Sequence, residues 1–497
     1  MKAENSSTIS KHLVPRLQDI IFVAAFYLIL LLGTNLIRDG DPGRHITLGK
    51  YMIENRTIIT KDLFSYTIYS KPIAIHEWFS EIIYGASYML MGLNGVVLVA
   101  ALILSLTFVF IYRELLQRDT PRVLAFVLTV WAIFITMIHW LARPHLLSYI
   151  SLALYAPLIG KIYRGKNASL WLVAVVMLFW ANSHGGYLYG FATWGAYFVG
   201  WVIENRNIAA MWSSPIFRKL LMAGGVSFIS TLINPAGWGL WKISTGYASQ
   251  KYFSDRISEW QSADFHSLGA WPFLAFVAIL LLVSLRSNKK LPLGEAFLII
   301  GFTALGIYSV RNIPPFAIAV VPLTGFLFKP YFEKIAGLVR LNQRIESLEQ
   351  NLRGIVWPVV VVSVCAILLA TGTDLDAAQT GYHFNKKEFP VDAVNWLEEN
   401  PLPGHMFNLF RWGGYLIYRL WPNQLVFMDG QTEYFGETLT RQHDQILDAQ
   451  DGWEDVVAEY NITWMIVPTD SRIALLLENT GTWKTLYRDD LAVIFQK

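Results

Sequence analysis

"LIRDGDPGRHITLGKYM", residues Leu36–Met52, follows a largely apolar run that begins near Ile20 and sets Asp39, Asp41, Arg44 and His45 within seven residues of one another. Ionisable groups at the end of an apolar helix are costly to hold near hydrocarbon, and they mark pairing, proton movement or ligand contact. The Asp41-Pro42 step is also a helix start, with Asp41 as the capping residue and Pro42 in the first turn. One cap uses one carboxylate. Asp39, with Arg44 and His45 a turn further on, is a surplus that capping does not employ.

The composition around this stretch belongs to a membrane protein. Of 497 residues, 54% are hydrophobic and only 15% charged, and the mean hydropathy is +0.39, against about 25% charged in an ordinary soluble domain. A net charge of +3 argues against a nucleic-acid partner. Cys365 is the single cysteine and lies in an apolar run, which excludes an intrachain disulfide and a cysteine-based metal cluster. The N-terminal "MKAENSSTISKHLVPRLQDI" leads into apolar residues with no small-residue cleavage site, so a retained first helix is expected in place of a signal peptide.

Apolar runs long enough to cross about 30 Å of hydrocarbon, some with tilt or thinning, number about eleven. They are 20–37, 94–112, 122–140, 145–163, 169–181, 187–203, 219–233, 268–285, 294–310, 314–330 and 355–371. The fifth and sixth are joined by "ANSHGGYLYG", readable as a tight turn or as a kink in one helix. Lys and Arg gather in the N-terminus and in alternate loops such as "YRELLQRDTPR", "KIYRGKNAS" and "LRSNKK", which makes that side cytoplasmic. The expected protein is therefore an α-helical polytopic protein of the inner or plasma membrane, with its N-terminus inside.

The membrane domain is expected over 1–372, with a first outer loop at 38–93, and an extracytoplasmic domain over 373–497. Ile335, Leu338, Leu341, Ile345, Leu348 and Leu352 form an apolar stripe amid charges, an amphipathic helix for the inner face. "HEWFSEIIYGASYML" has a similar stripe for the outer face. In the tail, "HMFNLF", "QLVFMDG", "TWMIVP" and "LAVIFQ" read as strands between the helical stretches "VDAVNWLEEN", "GETLTRQHDQIL", "WEDVVAEY" and "SRIALLLEN". That alternation predicts a small α/β domain.

With this topology, "RDGDPGRH", "IHEWFSE", "HWLARPH", "NSHGG", "INPAGWG", "SDRISEW" and "VRNIPP" all fall on the outer side. Each has a bland reading. Arg143 and His145 could sit at the interface beside an anchoring Trp140, His184 could mark a kink, and Asn234-Pro235 could end a helix. Glu259 and Trp260 occupy a long outer loop, of the kind that forms lids. Arg311-Asn312 could hold a phosphate or satisfy a broken helix end. Seven such motifs on one face point to an outward-facing site at the lipid boundary.

Asp39 and Asp41 just past the first span, with the loop segment "TKDLFSYTIYSKPIAIHEWFSE", resemble the GT-C superfamily of integral membrane glycosyltransferases. That class includes the protein O-mannosyltransferases and the lipid A aminoarabinose transferases. The resemblance implies transfer of a sugar from a polyprenyl-phosphate-linked donor to a glycan, lipid or protein acceptor at the outer face, among membrane lipids. It implies Asp41 as catalytic base and Asp39 as its partner, acceptor-positioning group or metal ligand, with Glu77 in reserve. Arg44, Arg143 and Arg311 are candidates for the leaving phosphate. His45, His76, His145, His184, Glu259 and Asn312 are further substrate-binding candidates. A divalent metal, Mg or Mn, at Asp39 and Asp41 stays open. The rivals are a transporter or flippase of lipid-linked saccharides, for which inverted repeats and midplane charges are expected, and a non-catalytic envelope scaffold. The tail stretch "FRWGGYLIYRLWPNQLVFMDGQTEYFG" is expected over the outer mouth, helping to bind the acceptor.

Overall fold

The computed structural model describes residues 11–73, 76–248, 252, 256–372 and 381–497. In chain order its principal membrane-region helices, short ones at Gly33–Leu36, Ile208–Ser213 and Gly239–Ala248 aside, are α1 (Leu17–Leu31), α2 (Asp41–Asn55), α3 (Trp78–Gln117), α4 (Arg122–Thr136), α5 (His145–Tyr163), α6 (Leu170–Ser183), α7 (Tyr187–Glu204), α8 (Pro215–Leu232), α9 (Trp271–Arg286), α10 (Leu293–Tyr308), α11 (Ile313–Phe332), α12 (Ala336–Glu349) and α13 (Val356–Ala370). Every apolar run read from the sequence falls on a helix of this series. Trp78–Gln117, Arg122–His139, His145–Tyr163, Leu268–Arg286 and Val310–Phe332 are each long and apolar enough to cross a bilayer, and α1, α6, α10 and α13 are shorter apolar helices. "ANSHGG" forms a tight turn: α6 stops at Ser183 and α7 starts at Tyr187.

Helix α3 joins two segments that the sequence separates. Its first part carries the stripe of "HEWFSEIIYGASYML", and the backbone then breaks at Met91 and at Gly92, where φ is 59° and ψ −149°. Such a conformation is open to glycine and strained for other residues. Met89 and Leu90 stand exposed just before the break, at the level where a surface helix turns into a spanning one. On α12, Ile335 (just ahead of the helix), Leu341 and Leu348 are likewise exposed, the arrangement of a helix lying on lipid.

The tail adds α14 (Val391–Glu399), α15 (Phe410–Leu420), α16 (Thr432–Leu447), α17 (Trp453–Glu459) and α18 (Arg472–Thr480), with strands β1 (His405–Asn408), β2 (Ile462–Pro468), β3 (Lys484–Arg488) and β4 (Ala492–Gln496). The sheet order is β1-β2-β4-β3, with β1 parallel to β2 and the other pairs antiparallel. One expectation is corrected here, and two elements come without a prior assignment. "QLVFMDG" is no strand of this sheet: Val426 instead bridges to Ser65 of the segment between α2 and α3, donating its N–H to the Phe64 carbonyl at 2.9 Å. "KTLYR" supplies the missing strand, and "FRWGGYLIYRL" is a helix.

Alternate residues of the central strand face two cores, as the pleat requires. Met465 and Val467 pack within the tail. Trp464 and Ile466 pack with Leu48 and Met52 of α2 and with Ile59 and Phe64 of the segment after it in one continuous cluster. Loop and tail thus share a hydrophobic core, and α15 lies directly on α2.

Candidate active site

The start of α2 organises the site. Gly40 is the N-cap and Asp41 the first helical residue. The capping bond comes from Asp39, whose Oδ1 accepts the Asp41 backbone N–H at 2.7 Å. The Asp41 side chain is therefore not the cap expected from the Asp-Pro step. It is buried and ion-paired to Arg143 Nη2. The same guanidinium, through Nη1, holds Asp39 at 3.0 Å and Glu259 at 2.6 Å. Asp39 and Glu259 keep 26% and 27% of their side-chain surface, against 9% for Asp41, so a substrate in the mouth meets Asp39 and Glu259 first. Gly430 of the tail closes over Asp41: a Cβ there would lie 2.3 Å from Asp41 Oδ1.

Burial pushes the Asp39 carboxyl up. Arg143 opposes it, Asp41 and Glu259 add to it, and the balance stands at about 6. Burial also acts against ionised Glu259, but Arg143 and His139 outweigh it and hold that carboxyl well below its ordinary range. Asp39 is thus a carboxylate made more basic beside one made less so.

Three loops bring these groups together. The Ala142 N–H donates to the Leu36 carbonyl at 2.7 Å and the Tyr84 hydroxyl to the Arg143 carbonyl at 2.9 Å, which clasps "HWLARPH" to the end of the first helix. The Ser309 hydroxyl donates to the Glu259 carbonyl at 2.7 Å and the Val310 N–H to that of Gln261 at 2.9 Å, docking "SDRISEW" on "VRNIPP". Arg311 then stacks on Trp260, 4.6 Å from the ring centre. Among the described residues no carboxylate lies within ion-pair distance of Arg311. Asn312 accepts from the Tyr189 hydroxyl at 2.5 Å and donates to the Leu305 carbonyl at 3.1 Å, so it braces the helix break.

A second polar group lies deeper. His45 Nδ1 is 3.3 Å from Glu81 Oε1. His184 Nδ1 accepts the Gly186 N–H at 2.9 Å, which leaves its proton on Nε2, 3.5 Å from Glu77 Oε1. His76 Nε2 approaches the same oxygen at 3.6 Å. His145 is buried against His139, ring nitrogens 3.3 Å apart. Arg44 is fully buried and turned away from the mouth, with Nε 3.0 Å from Asp429 of the tail and Nη1 3.9 Å from Glu81. Among the predicted residues, Asp39, Asp41, Arg143 and Glu259 form one cluster. His45, His76, Glu77 and His184 form a neighbouring one, while Arg44 serves the contact with the tail.

A divalent cation fits the two aspartates poorly, because the Arg143 guanidinium already occupies the position between the carboxylates and balances their charge. The deeper group fits better. Donor atoms of His45, Glu77 and Glu81 lie within 4.8 Å of one another, and Glu81 Oε2 is buried without a hydrogen-bond partner. One imidazole with two carboxylates suits Mn or Zn more than Mg. Sequence reasoning passed over Glu81 as a ligand, although its spacing of four from Glu77 sets both on one helical face. Asp429 had no local signal as the partner of Arg44.

No protein-family model matches the sequence, and no curated protein matches it. Solved structures do. The chain is similar to the apo oligosaccharyltransferase of Archaeoglobus fulgidus, at 12% identity over 90% of this chain and 70% of that one, with a TM-score of 0.56. It is similar to the oligosaccharyltransferase AglB of Archaeoglobus fulgidus in complex with an inhibitory peptide and a dolichol-phosphate, at 14% identity, 91% and 69% coverage and a TM-score of 0.58. Apo ArnT from Cupriavidus metallidurans matches at 15% identity over 96% of this chain and 97% of that one, with a TM-score of 0.53. At such identities the likeness is one of fold, and the fold is the GT-C-like helical membrane architecture with a small C-terminal α/β unit.

Proposed function

We propose that this protein is a membrane glycosyltransferase that moves a sugar from a polyprenyl-phosphate-linked donor to an acceptor hydroxyl at the outer face of the inner or plasma membrane. The observation that carries the proposal is the cluster at the end of the first helix: an open, basic carboxylate at Asp39, its charge partner Arg143, and Arg311 nearby, a cation with no carboxylate at ion-pair distance among the described residues. Similarity in fold to AglB, solved with a dolichol-phosphate, supports the lipid-phosphate donor.

In this reading Asp39 takes the acceptor proton as the acceptor oxygen bonds to the anomeric carbon. The bond from that carbon to the phosphate oxygen breaks, and the polyprenyl phosphate leaves with the electron pair. A carboxylate poised near the working pH is an effective general base. Asp41, the expected base, has the positioning role: with Glu259 it fixes the Arg143 guanidinium. Arg143 spends its charge on three acids, so Arg311 is the better donor to the leaving phosphate. His145, His184 and Asn312 shape the wall behind, and His76 orients Glu77. His45, Glu77 and Glu81 would hold a divalent cation, which when bound would supply positive charge to the deeper part of the site.

We place the membrane domain at 1–372 and an extracytoplasmic domain at 373–497, with the N-terminus cytoplasmic. Purified protein reconstituted with radiolabelled polyprenyl-phosphate sugars tests the proposal. Label transferred to an acceptor, or released to water, is the expected result, and flux of intact lipid-linked sugar without chemistry overturns it.

A further inference from the structure

A second cleft, of about 370 Å³, opens where α2, α3 and α15 meet, on the far half of α2 from Asp41. Its size is that of a ligand pocket, for which about 300–1,000 Å³ is usual. Lys50, Tyr51 and Glu54 recur on α2 at helical spacing and line one wall, Tyr88 of α3 the second, and Tyr418 and Trp421 at the end of α15 the third. The cleft exists only because the tail docks on the first outer loop.

Its chemistry is mixed in a specific way. The Tyr88 and Tyr418 hydroxyls meet at 2.9 Å, and the Lys50 ammonium sits over the Tyr88 ring, 5.4 Å from its centre. Lys50 and Glu54 are spaced to pair along the helix, yet among the described residues neither has an ion-pair partner. Arg419 at the rim is already held by Glu398, 2.8 Å away. An apolar occupant would strip water from Lys50 and Glu54 without replacing it, at a cost. An anion would meet the Glu54 carboxylate as well as Lys50. A pyranose ring satisfies the set: its C–H faces cover tyrosine and tryptophan rings, and its hydroxyls donate to Glu54 and accept from Lys50 and the tyrosine hydroxyls.

We propose that this cleft is a carbohydrate-binding site for one or two neutral or amino-sugar rings, separate from the transfer centre. Lys50 is nine residues along α2 from Asp41, about 13 Å at 1.5 Å per residue. That separation suits a distant unit of a glycan chain and not the sugar being transferred. The site is defined by binding alone, so it stands or falls independently of the transfer reaction.

Saturation-transfer NMR on the full detergent-solubilised chain, with galactose, N-acetylglucosamine, glucosamine, lactose and chitobiose as probes, tests it. At least one probe should bind, and Lys50→Gln and Tyr418→Phe should each weaken it by about tenfold, the loss of one hydrogen bond to a charged or paired group. Glu54→Gln, at an exposed position that folding tolerates, should weaken it too, while Lys61→Gln leaves it unchanged. The proposal is overturned by failure of every probe to bind, by binding indifferent to all three cleft variants, or by displacement of the sugar by phosphatidylglycerol micelles.

Discussion

Asp39 offers the sharpest test, because its ionisation sets a pH dependence of transfer that a substitution at Asp39 alone removes. The balance of burial, Arg143 and the two flanking acids leaves its carboxyl at about 6. The base must be ionised to accept a proton, so kcat/KM for sugar transfer should rise with pH through that value. One unit on either side is a factor of ten in the ratio of forms: roughly a tenth of Asp39 is ionised at about pH 5 and nine-tenths at about pH 7, a change of about tenfold in rate. The donor phosphodiester does not titrate in this interval, which isolates the enzyme's contribution. Asp39→Asn should remove that acidic limb and lower transfer by about 10²- to 10⁴-fold, the usual worth of a general base. Arg143→Gln withdraws the cation that holds the carboxyl down, so any residual activity should show the limb moved to higher pH. Initial rates of radiolabel transfer over a pH series measure all three. A wild-type profile flat from about pH 5 to 8 would refute the reasoning. So would a limb that survives Asp39→Asn and disappears in Asp41→Asn, which would return the proton to Asp41.

Four further outcomes follow from the same geometry. Arg44 and Asp429 are buried partners at 3.0 Å, so Asp429→Ala should cost about 3 kcal/mol of stability by leaving the buried guanidinium with Glu81 at 3.9 Å as its remaining charge partner, and Arg44→Met with Asp429→Leu should recover part of it in thermal unfolding of solubilised protein. Gly430→Ala places a methyl against Asp41 and should lower kcat toward a hundredfold through misplacement of the acid cluster, with the unfolding temperature nearly kept. Mn²⁺ added to the protein should give a bound signal by electron paramagnetic resonance that strengthens as pH rises, because metal must displace protons from imidazole and carboxylate, and Glu81→Gln should abolish it. In a Cys365→Ser background, a cysteine at Lys61 should react with an impermeant reagent in intact cells, and one at Lys166 or Lys289 should not.

The membrane bundle was legible because its signal is local. Each apolar run carries its own hydropathy, and basic loops mark one side whatever the tertiary packing. The surface helix before Gly92 was legible for the same reason, as a stripe at helical spacing. The tail was half legible. β2 and β4 read correctly because burial on both faces demands continuous apolar residues, whereas "QLVFMDG" has the same apolar look but finds its partner at Ser65, some 360 residues earlier. No property of a seven-residue run distinguishes a neighbour in its own sheet from one in another part of the chain.

The acid pair shows where local reading stops. In sequence Asp39 and Asp41 are near equivalents, and the Asp-Pro step favours Asp41 as cap. The fold separates them through contacts from distant segments: Arg143 from the loop before α5, Glu259 from the loop before α9, and Gly430 from the tail. A helix start admits one carboxylate to its first backbone N–H, and here the earlier residue reaches it, which directs the later one inward to Arg143 and under the tail. Asp39 stays at the mouth because it caps from outside the helix, and it becomes basic because partial burial, with two acids crowding one guanidinium, outweighs the pull of Arg143. The difference in role thus follows from a displacement of two residues along a turn, once the surrounding segments are in place.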